Sequence, residues 1–264
     1  MPETPDPLPP VLVERTGAMV SLCFNRPHAL NALDVPMAQA FLEAMRALAA
    51  DASVRVVVLR GSGKGFVAGG DLATLRADPV QGARDLLGPL HEALQIMASL
   101  NAPVIAQVHG VAAGAGLSLM LQADFVLAAR GTRFNLAYIN LGASCDVGAS
   151  WALPRLVGMR KALEIALLGE MLTCADALRL GLVNHVVPAE QLDAKVRALA
   201  ERLVSGPTVA YGTMKRLMRT SFDHDFPTQL SLEAAAFENC ARTRDFKSGI
   251  EAFYGKFAPP FTGV

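Results

Sequence analysis

The sequence has no excess of charge of either sign, few charged residues and no cysteine pair. Its 264 residues carry 24 Lys and Arg against 24 Asp and Glu, and only 18% are charged. This balance argues against nucleic acid or an anionic membrane as the main partner. No CxxC pair or zinc spacing occurs, so we expect no metal site. We expect a cytoplasmic protein whose thiols stay reduced. The four cysteines are Cys23, Cys145, Cys174 and Cys240.

Signals for export or membrane insertion are also missing. The N-terminal segment MPETPDPLPP has no basic region and no apolar run, so we expect residues 1–10 to form a disordered tail and not a signal peptide. Residues 102–121 are apolar enough to suggest a membrane span. However, proline opens the segment, glycines fill its middle and no Lys/Arg cluster flanks it. A buried strand followed by a buried helix explains it better, and no membrane partner is expected.

The glycine-rich segments match none of the common phosphate-binding or nucleophile motifs. In GSGKG (61–65), Gly65 stands where a P-loop needs Ser or Thr. A GxGxxG motif starting at the same place ends on Phe66. The segment GLSLM, which contains Ser118, lacks the final glycine of a nucleophile elbow. Taken alone, Ser118 is therefore a helix residue.

Hydrophobic patterning predicts a β/α core followed by helices. With 52% hydrophobic residues, the chain can bury a large core. After residue 150 helical patterns dominate, and we divide the chain into a core over 11–200 and a helical region over 201–264. Helical patterns separate the buried strands and are long enough for parallel crossovers. The predicted strands are 11–15, 18–24, 54–61, 103–108 and 124–129, and a helix is predicted within 72–100.

Two glycine-rich turns are the main candidates for function. FVAGGD (66–71) follows the strand at 54–61, and GVAAGAG (110–116) follows the strand at 103–108; we expect each turn to enter a helix. A helix N-terminus presents unpaired N–H groups and a partial positive charge. Two such turns could each direct one backbone N–H at a single oxygen, forming an oxyanion hole without side chains. Either turn by itself could equally be a tight packing turn.

Taken together, these segments resemble the crotonase superfamily, also called the enoyl-CoA hydratase/isomerase superfamily. The similarity extends from about residue 11 to 263. It implies an α/β fold with a crotonase-like β/β/α superhelix core and a C-terminal helical trimerisation region that also covers the coenzyme A pocket. The matching segments are NRPHALNAL (25–33), GFVAGGDL (65–72), PVIAQVHGVAAGAGLSL (103–119), FNLAYINLGASCDVGASWALPRLVG (134–158), LTCADALRLGLVNHVV (172–187) and KFAPPFTG (256–263).

The resemblance assigns the oxyanion donors to the backbone N–H groups of Gly70 and Ala115. The oxygen that they would hold belongs to a thioester of coenzyme A, which enters as part of the substrate, so no tightly bound cofactor is implied. A homotrimer or a dimer of trimers is expected. The positions that would contact coenzyme A are His28, Ala29, Leu30 and Ala68, with Lys256 and Phe257 near the C-terminus, sometimes serving a neighbouring subunit.

The sequence departs from the family at the catalytic acids. Hydratases of this family use two glutamates, and their positions fall here on Ser118 and Tyr138. Adding water to a double bond requires one group to activate water and another to supply a proton. Asp146 matches a position where some isomerase branches keep a single acid, and one carboxylate is enough to move a double bond. We therefore expect an enoyl-CoA or ring-acyl-CoA isomerase. The local alternative for Asp146 is the N-cap of the helix that follows.

Two further classes of protein stay open. A dehalogenase branch places a histidine at His91 and an aromatic residue near Tyr138, and there the aspartate is a nucleophile. The set Asp146, His91 and Tyr138 is thus also compatible with an aryl-CoA dehalogenase or a thioester hydrolase. His91 could instead simply line a pocket or lie exposed on its helix. The third class is a non-catalytic scaffold that binds coenzyme A.

Overall fold

The structure is a computed structural model that describes residues 8–264. Six strands form the main sheet in the order β1-β2-β3-β4-β6-β8. β1 and β2 pair antiparallel, and every other neighbouring pair is parallel. Two short strands, β5 and β7, pair parallel in a second sheet. The strands are β1 Val11–Thr16, β2 Met19–Phe24, β3 Val56–Gly61, β4 Val104–Val108, β5 Val111–Ala113, β6 Phe125–Ala129, β7 Arg133–Asn135 and β8 His185–Val187.

Helices connect the parallel strands and then make up most of the C-terminal third of the chain. Several begin with an aspartate or threonine whose side chain accepts a hydrogen bond from the first turn, as Asp34 does for α1. The helices are α1 Val35–Ala50, α2 Leu72–Ala77, α3 Pro79–Ser99, α4 Ala115–Met120, α5 Ala149–Val157, α6 Met159–Leu168, α7 Cys174–Arg179, α8 Leu192–Val204, α9 Thr208–Thr220, α10 Phe226–Ala241 and α11 Arg244–Gly255.

The main sheet is covered on both faces because successive side chains of a strand point to opposite sides. On β3, Val57 and Leu59 join the larger core cluster, to which α1 and α3 also contribute. The alternate residues Val56 and Val58 pack in a second cluster with α8. This explains why four successive residues of β3, from Val56 to Leu59, are apolar rather than alternating with polar residues.

Most of the predicted elements are present, with two differences. The helix expected within 72–100 is divided into α2 and α3, because Asp78 caps α3 through the backbone N–H of Gln81. The second glycine turn does not run directly from strand to helix, since β5 lies inside it. Thr173 and Asp176 form a capping box at the start of α7.

Both boundaries of the predicted core, at residues 11 and 200, can be compared with the structure. Residues 1–7 of the predicted tail lie outside the described residues. The carbonyl groups of Pro9 and Pro10 accept hydrogen bonds from Asn25. The predicted boundary at residue 200 falls within α8, while the region that follows is helical as expected. Among residues 8–264, no helix is both long and apolar enough to cross a membrane.

Candidate active site

The two glycine-rich turns lie side by side. Val67 and Ala112 form an isolated parallel bridge, and the N–H of Ala113 donates to the carbonyl oxygen of Val67 at 3.0 Å. Further along, the backbones approach so closely that a Cβ placed on Gly114 would lie 3.5 Å from the Cα of Gly69. The sequence placed these turns after neighbouring strands, and the structure brings them into direct contact.

The two predicted oxyanion donors each follow a glycine with positive φ. Gly69 has φ 124°, and Gly114 has φ 49° with ψ −124°, a conformation that other residues rarely adopt. Within residues 8–264, the N–H groups of Gly70 and Ala115 donate no hydrogen bond. Ala115 begins α4, and the first N–H groups of a helix have no partner within it. Both N–H groups therefore have no partner in the described chain, as expected of donors kept for a ligand.

Asp146, Tyr138 and Ser118 form a continuous hydrogen-bonded chain. The Tyr138 hydroxyl donates to a carboxylate oxygen of Asp146 and lies 3.0 Å from the Ser118 Oγ. The Ser118 Oγ is also 3.2 Å from the carbonyl oxygen of Gly114. Ser118 is completely buried on α4. The two positions assigned to hydratase glutamates thus touch each other, and Asp146 is the acid that meets them.

The surroundings of Asp146 favour its neutral form. Burial raises the pKa of Asp146, although the hydrogen bond from Tyr138 and the charge of His91 act in the opposite direction. Burial, followed by the negative charge of Asp146, raises the pKa of Tyr138, so this side chain stays a neutral hydroxyl. A carboxylate with a raised pKa is a stronger base than an ordinary aspartate, which suits it to proton transfer.

The alternative role of Asp146 as a helix cap is wrong. The residue that caps α5 is Gly148, and it makes no side-chain hydrogen bond. Asp146 contributes only its carbonyl oxygen, which accepts from the N–H of Ala149 at 3.1 Å. Val147 and Gly148 both have positive φ, so the chain turns sharply just after the acid. The side chain is left free to bond Tyr138.

His91 lies close enough to Asp146 for its charge to act on the carboxylate, but its own side chain is exposed on α3. It lines a cavity of about 450 Å³ together with Gln122, Gly148 and Trp151. His91 thus lies at the edge of a pocket and near the acid. This position is compatible both with a histidine that assists hydrolysis and with one that only lines a pocket or lies exposed on its helix.

Arg26, which the sequence analysis did not single out, supports the first glycine loop. The Arg26 guanidinium pairs with Asp34 at 3.1 Å and with Asp71 at 2.9 Å. Burial opposes the charge on Asp71, yet the N–H of Ala73 and the Arg26 guanidinium outweigh it and hold the pKa of Asp71 below its ordinary value. Asp71 follows Gly70 directly, so these ion pairs fix the chain beside one of the predicted donors.

Asn31 is the second supporting residue that was missed. It is completely buried, has φ 58°, and its side-chain amide donates to the carbonyl oxygens of Ser62, Gly65 and Phe66. Its Oδ1 accepts from the N–H of Arg26. Asparagine tolerates positive φ better than most residues. The only sequence signal was its place in the matching segment NRPHALNAL (25–33).

The predicted coenzyme A contacts form two separate groups. His28, Ala29 and Leu30 lie on an exposed turn, and the N–H of Ala68 donates to the Leu30 carbonyl oxygen at 3.1 Å. These four residues are therefore close together. Lys256 and Phe257 lie exposed after the end of α11, and no hydrogen bond or ion pair in the described chain joins Lys256 to the glycine loops.

The similarity to known proteins agrees with this geometry. The family model for enoyl-CoA hydratase/isomerase matches residues 14–264. The chain is 36% identical over 252 residues to the 1,2-epoxyphenylacetyl-CoA isomerase of Escherichia coli K12, covering 93% of this chain and 95% of that protein. It is 32% identical over 247 residues to the crotonyl-CoA hydratase of Syntrophomonas wolfei, again covering 93% and 95%.

Solved structures show the same architecture. The enoyl-CoA hydratase of Mycobacterium smegmatis superposes with a TM-score of 0.90 at 36% identity, covering 95% of this chain and 98% of that one. Fold and site thus define an acyl-CoA enzyme with the crotonase fold. The chain belongs to the enoyl-CoA hydratase/isomerase family. The superfamily and fold class predicted from the sequence are confirmed, whereas the isomerase branch stays a prediction.

Proposed function

We propose that the protein is an isomerase that moves a double bond in an enoyl-CoA or a related ring-acyl-CoA. The observation that carries this proposal is the half-buried carboxylate of Asp146, which accepts a hydrogen bond from Tyr138. Tyr138 and Ser118 occupy the positions where the resemblance expects the two glutamates of a hydratase. Neither hydroxyl can replace a carboxylate as a base at neutral pH, so one acid is left to accept and return a proton.

In the proposed reaction, the N–H groups of Gly70 and Ala115 hold the thioester oxygen. Asp146 removes a proton from the carbon next to the thioester or from C4, and the electron pair moves toward that oxygen. The two donors stabilise the charge because they are already fixed in place before the reaction. Asp146 then returns the proton at the other end of the conjugated system. The name of the Escherichia coli relative, an isomerase, supports this choice, while the Syntrophomonas relative is named as a hydratase.

We also propose that coenzyme A lies across the turn containing Leu30 and against Ala68. The hydrogen bond between these two residues joins the proposed coenzyme A site to the loop that carries Gly70. Coenzyme A is proposed as part of the substrate, and no tightly bound cofactor is required for proton transfer.

A homotrimer, or a dimer of trimers, is the proposed assembly. Large apolar side chains lie exposed on the C-terminal helices, including Phe226 and Phe237 on α10 and Phe253 on α11, at 74%, 65% and 79% exposure. Burying them between subunits would remove this apolar surface from water. We expect sedimentation analysis to give a trimer or hexamer, and Phe237→Glu to shift the protein toward monomers. A wild-type monomer would contradict the proposed assembly.

The central test is replacement of Asp146 by asparagine. We expect Asp146→Asn to slow solvent deuterium exchange at C2 of a bound acyl-CoA by about 10²–10⁴-fold, because the base is lost. Binding of the acyl-CoA, measured by titration calorimetry, should change little. The matched control is Asp85→Asn, which alters an exposed carboxylate on α3. Exchange at the wild-type rate in Asp146→Asn would show that Asp146 is not the base.

A panel of thioesters distinguishes the isomerase from a hydratase. The panel consists of 3-enoyl, 2-enoyl, cyclic-enoyl and haloaryl CoA esters. The proposal predicts products with the same mass as the substrate. A product heavier by one water from a 2-enoyl ester would instead identify a hydratase, and the absence of turnover despite binding, followed through Trp151 fluorescence, would favour a scaffold.

The position of His91 supports one further candidate, an aryl-CoA dehalogenase or thioester hydrolase. His91 acts electrostatically on Asp146 and lines the neighbouring cavity. In that reaction Asp146 would attack the substrate and His91 would assist hydrolysis of the resulting ester. Turnover in ¹⁸O-labelled water would then place label in the Asp146 carboxylate. An isomerase leaves this carboxylate unlabelled.

A further inference from the structure

The Ser118 hydroxyl has one proton and two acceptors within reach. Its Oγ lies 3.0 Å from the Tyr138 oxygen and 3.2 Å from the Gly114 carbonyl oxygen. Ser118 is completely buried, and these two oxygens are the acceptors that the described chain offers to its hydroxyl proton. The Tyr138 hydroxyl already donates a hydrogen bond to Asp146. The Tyr138 oxygen can therefore only accept a hydrogen bond from Ser118. The position of the Ser118 proton therefore depends on which acceptor is stronger.

The charge on Asp146 decides that competition. While Asp146 is ionised, it polarises the Tyr138 hydroxyl and makes the Tyr138 oxygen a better acceptor, because linked hydrogen bonds strengthen one another. Once Asp146 has taken up a proton, this polarisation falls. The Gly114 carbonyl oxygen then becomes the better acceptor, and the Ser118 hydroxyl can turn toward it by rotation about its Cβ–Oγ bond.

The carbonyl group of Gly114 belongs to the same peptide unit as the N–H of Ala115. Resonance couples the two ends of a peptide unit. A hydrogen bond accepted by the Gly114 oxygen draws electron density from the Ala115 nitrogen and makes its N–H a stronger donor. That N–H is one of the two unbonded donors between the glycine turns.

We propose that the Ser118 hydroxyl is a switch that links the protonation of Asp146 to the strength of the Ala115 N–H donor. The inference rests on the proposed function. When the substrate proton moves to Asp146, the C–H electron pair moves to the thioester oxygen. At that moment the Ser118 hydroxyl turns toward Gly114 and the donor facing that oxygen strengthens. Ser118 keeps its own proton and does not touch the substrate, so it is a positioning residue.

A spectroscopic double-mutant cycle tests this link. A conjugated aromatic acyl-CoA absorbs at longer wavelength when its carbonyl group is polarised. Asp146→Asn mimics the uncharged acid. The spectral change that Asp146→Asn causes in the bound acyl-CoA is measured twice, once with Ser118 present and once in the Ser118→Ala background. We expect the spectral change caused by Asp146→Asn to be smaller when the Ser118 hydroxyl is missing. The same change in both backgrounds would overturn the switch.

The cycle separates failure of the switch from failure of the proposed function. If the bound thioester shows no red shift in wild type, Gly70 and Ala115 do not polarise it, and both proposals fall. If the red shift is present but independent of Ser118, only the switch falls. Should Ser118→Ala not fold, Tyr138→Phe interrupts the same path from the other end and carries the same expectation.

Kinetics supply a second readout. We expect Ser118→Ala to lower kcat by about five- to tenfold with KM unchanged, because a hydrogen bond that strengthens only after proton transfer is lost. Ser118→Thr keeps the hydroxyl and should restore kcat. Ser150→Ala, at an exposed serine of α5, is the control. An unchanged kcat in Ser118→Ala would overturn the switch.

Discussion

At the scale of single residues, the proposed reaction depends on how strongly basic the protein makes the carboxylate of Asp146. Burial raises its pKa, and Tyr138 and His91 partly offset that effect. Since a base must be ionised to act, kcat/KM should rise with pH through a midpoint above the ordinary aspartate value of 3.8. Below that midpoint the carboxyl group carries a proton and activity is lost.

The Tyr138 hydroxyl gives this pH dependence a specific test. Tyr138→Phe removes a hydrogen bond that stabilises the ionised carboxylate, so the midpoint of kcat/KM should move to higher pH. His91→Gln should move it in the same direction, because the charge of His91 also favours ionised Asp146. A profile of kcat/KM against pH measures both. A midpoint that stays in place in Tyr138→Phe would contradict the assignment of this ionisation to Asp146.

The residues of the candidate site were predictable only in part. Asp146, Ser118 and Tyr138 could be named because the resemblance spans the whole chain. Their mutual hydrogen bonds could not be predicted, because they join α4 to a turn and a loop that follow β7. Asn31 escaped notice for a related reason: the hydrogen bonds that join its side chain to Ser62, Gly65 and Phe66 form only after distant segments fold together.

At the scale of elements, the packing of the two glycine turns is the feature most sensitive to substitution. A Cβ on Gly116 would overlap the carbonyl oxygen of Val67, which belongs to the neighbouring turn. Gly116→Ala must therefore push the turns apart. We expect it to lower stability by about 1–3 kcal/mol and to reduce kcat/KM, since Gly70 and Ala115 would no longer face one oxygen.

Gly88 provides the matched control on α3. A Cβ there meets nothing within 4 Å. Gly88→Ala should be neutral or stabilising by about 0.5–1 kcal/mol, because alanine favours the helix. Thermal unfolding and steady-state kinetics compare the two variants. If Gly116→Ala had the same stability and kcat/KM as Gly88→Ala, the close contact between the turns would not be required for stability or activity.

Long periodic elements were predictable from the sequence, whereas short ones were not. The strands β3, β4 and β6 and the helix α1 have apolar patterns that identify them directly. β5 has only three residues, and its pairing with β7 is a tertiary contact. The break at Asp78 has a local signal that the predicted bounds did not use, because aspartate followed by proline is a common start of a helix.

At the scale of the whole molecule, a buried ion cluster attaches the C-terminal helices to the sheet. Asp124, just before β6, pairs with Lys215 at 2.7 Å and with Arg219 at 2.9 Å, both on α9. The side chains of Lys215 and Asp124 are only 10% and 12% exposed. Burial lowers the pKa of Lys215, and the charge of Asp124 opposes this.

Removing Asp124 should therefore be costly. Asp124→Ala leaves a buried ammonium group without its carboxylate, and we expect a loss of about 3–5 kcal/mol in the free energy of unfolding. The exposed pair of Arg46 and Glu92 is the control, and Glu92→Ala should cost less than about 1 kcal/mol. Guanidinium titration measures both variants. Equal losses in the free energy of unfolding would mean that burial does not determine how much the Asp124 cluster contributes to stability.

The ion pairs of Arg26 also bear on how new specificities could arise. They tie the turn proposed for coenzyme A to the segment after Gly70, so the same ion pairs join the proposed coenzyme A site to the proposed site of the thioester oxygen. These ion pairs do not involve the opposite side of Gly70, where Leu86 of α3 lies against it, and this side is free to vary. Substitutions along α2 and α3 could thus exchange one acyl group for another during evolution without rebuilding the catalytic apparatus.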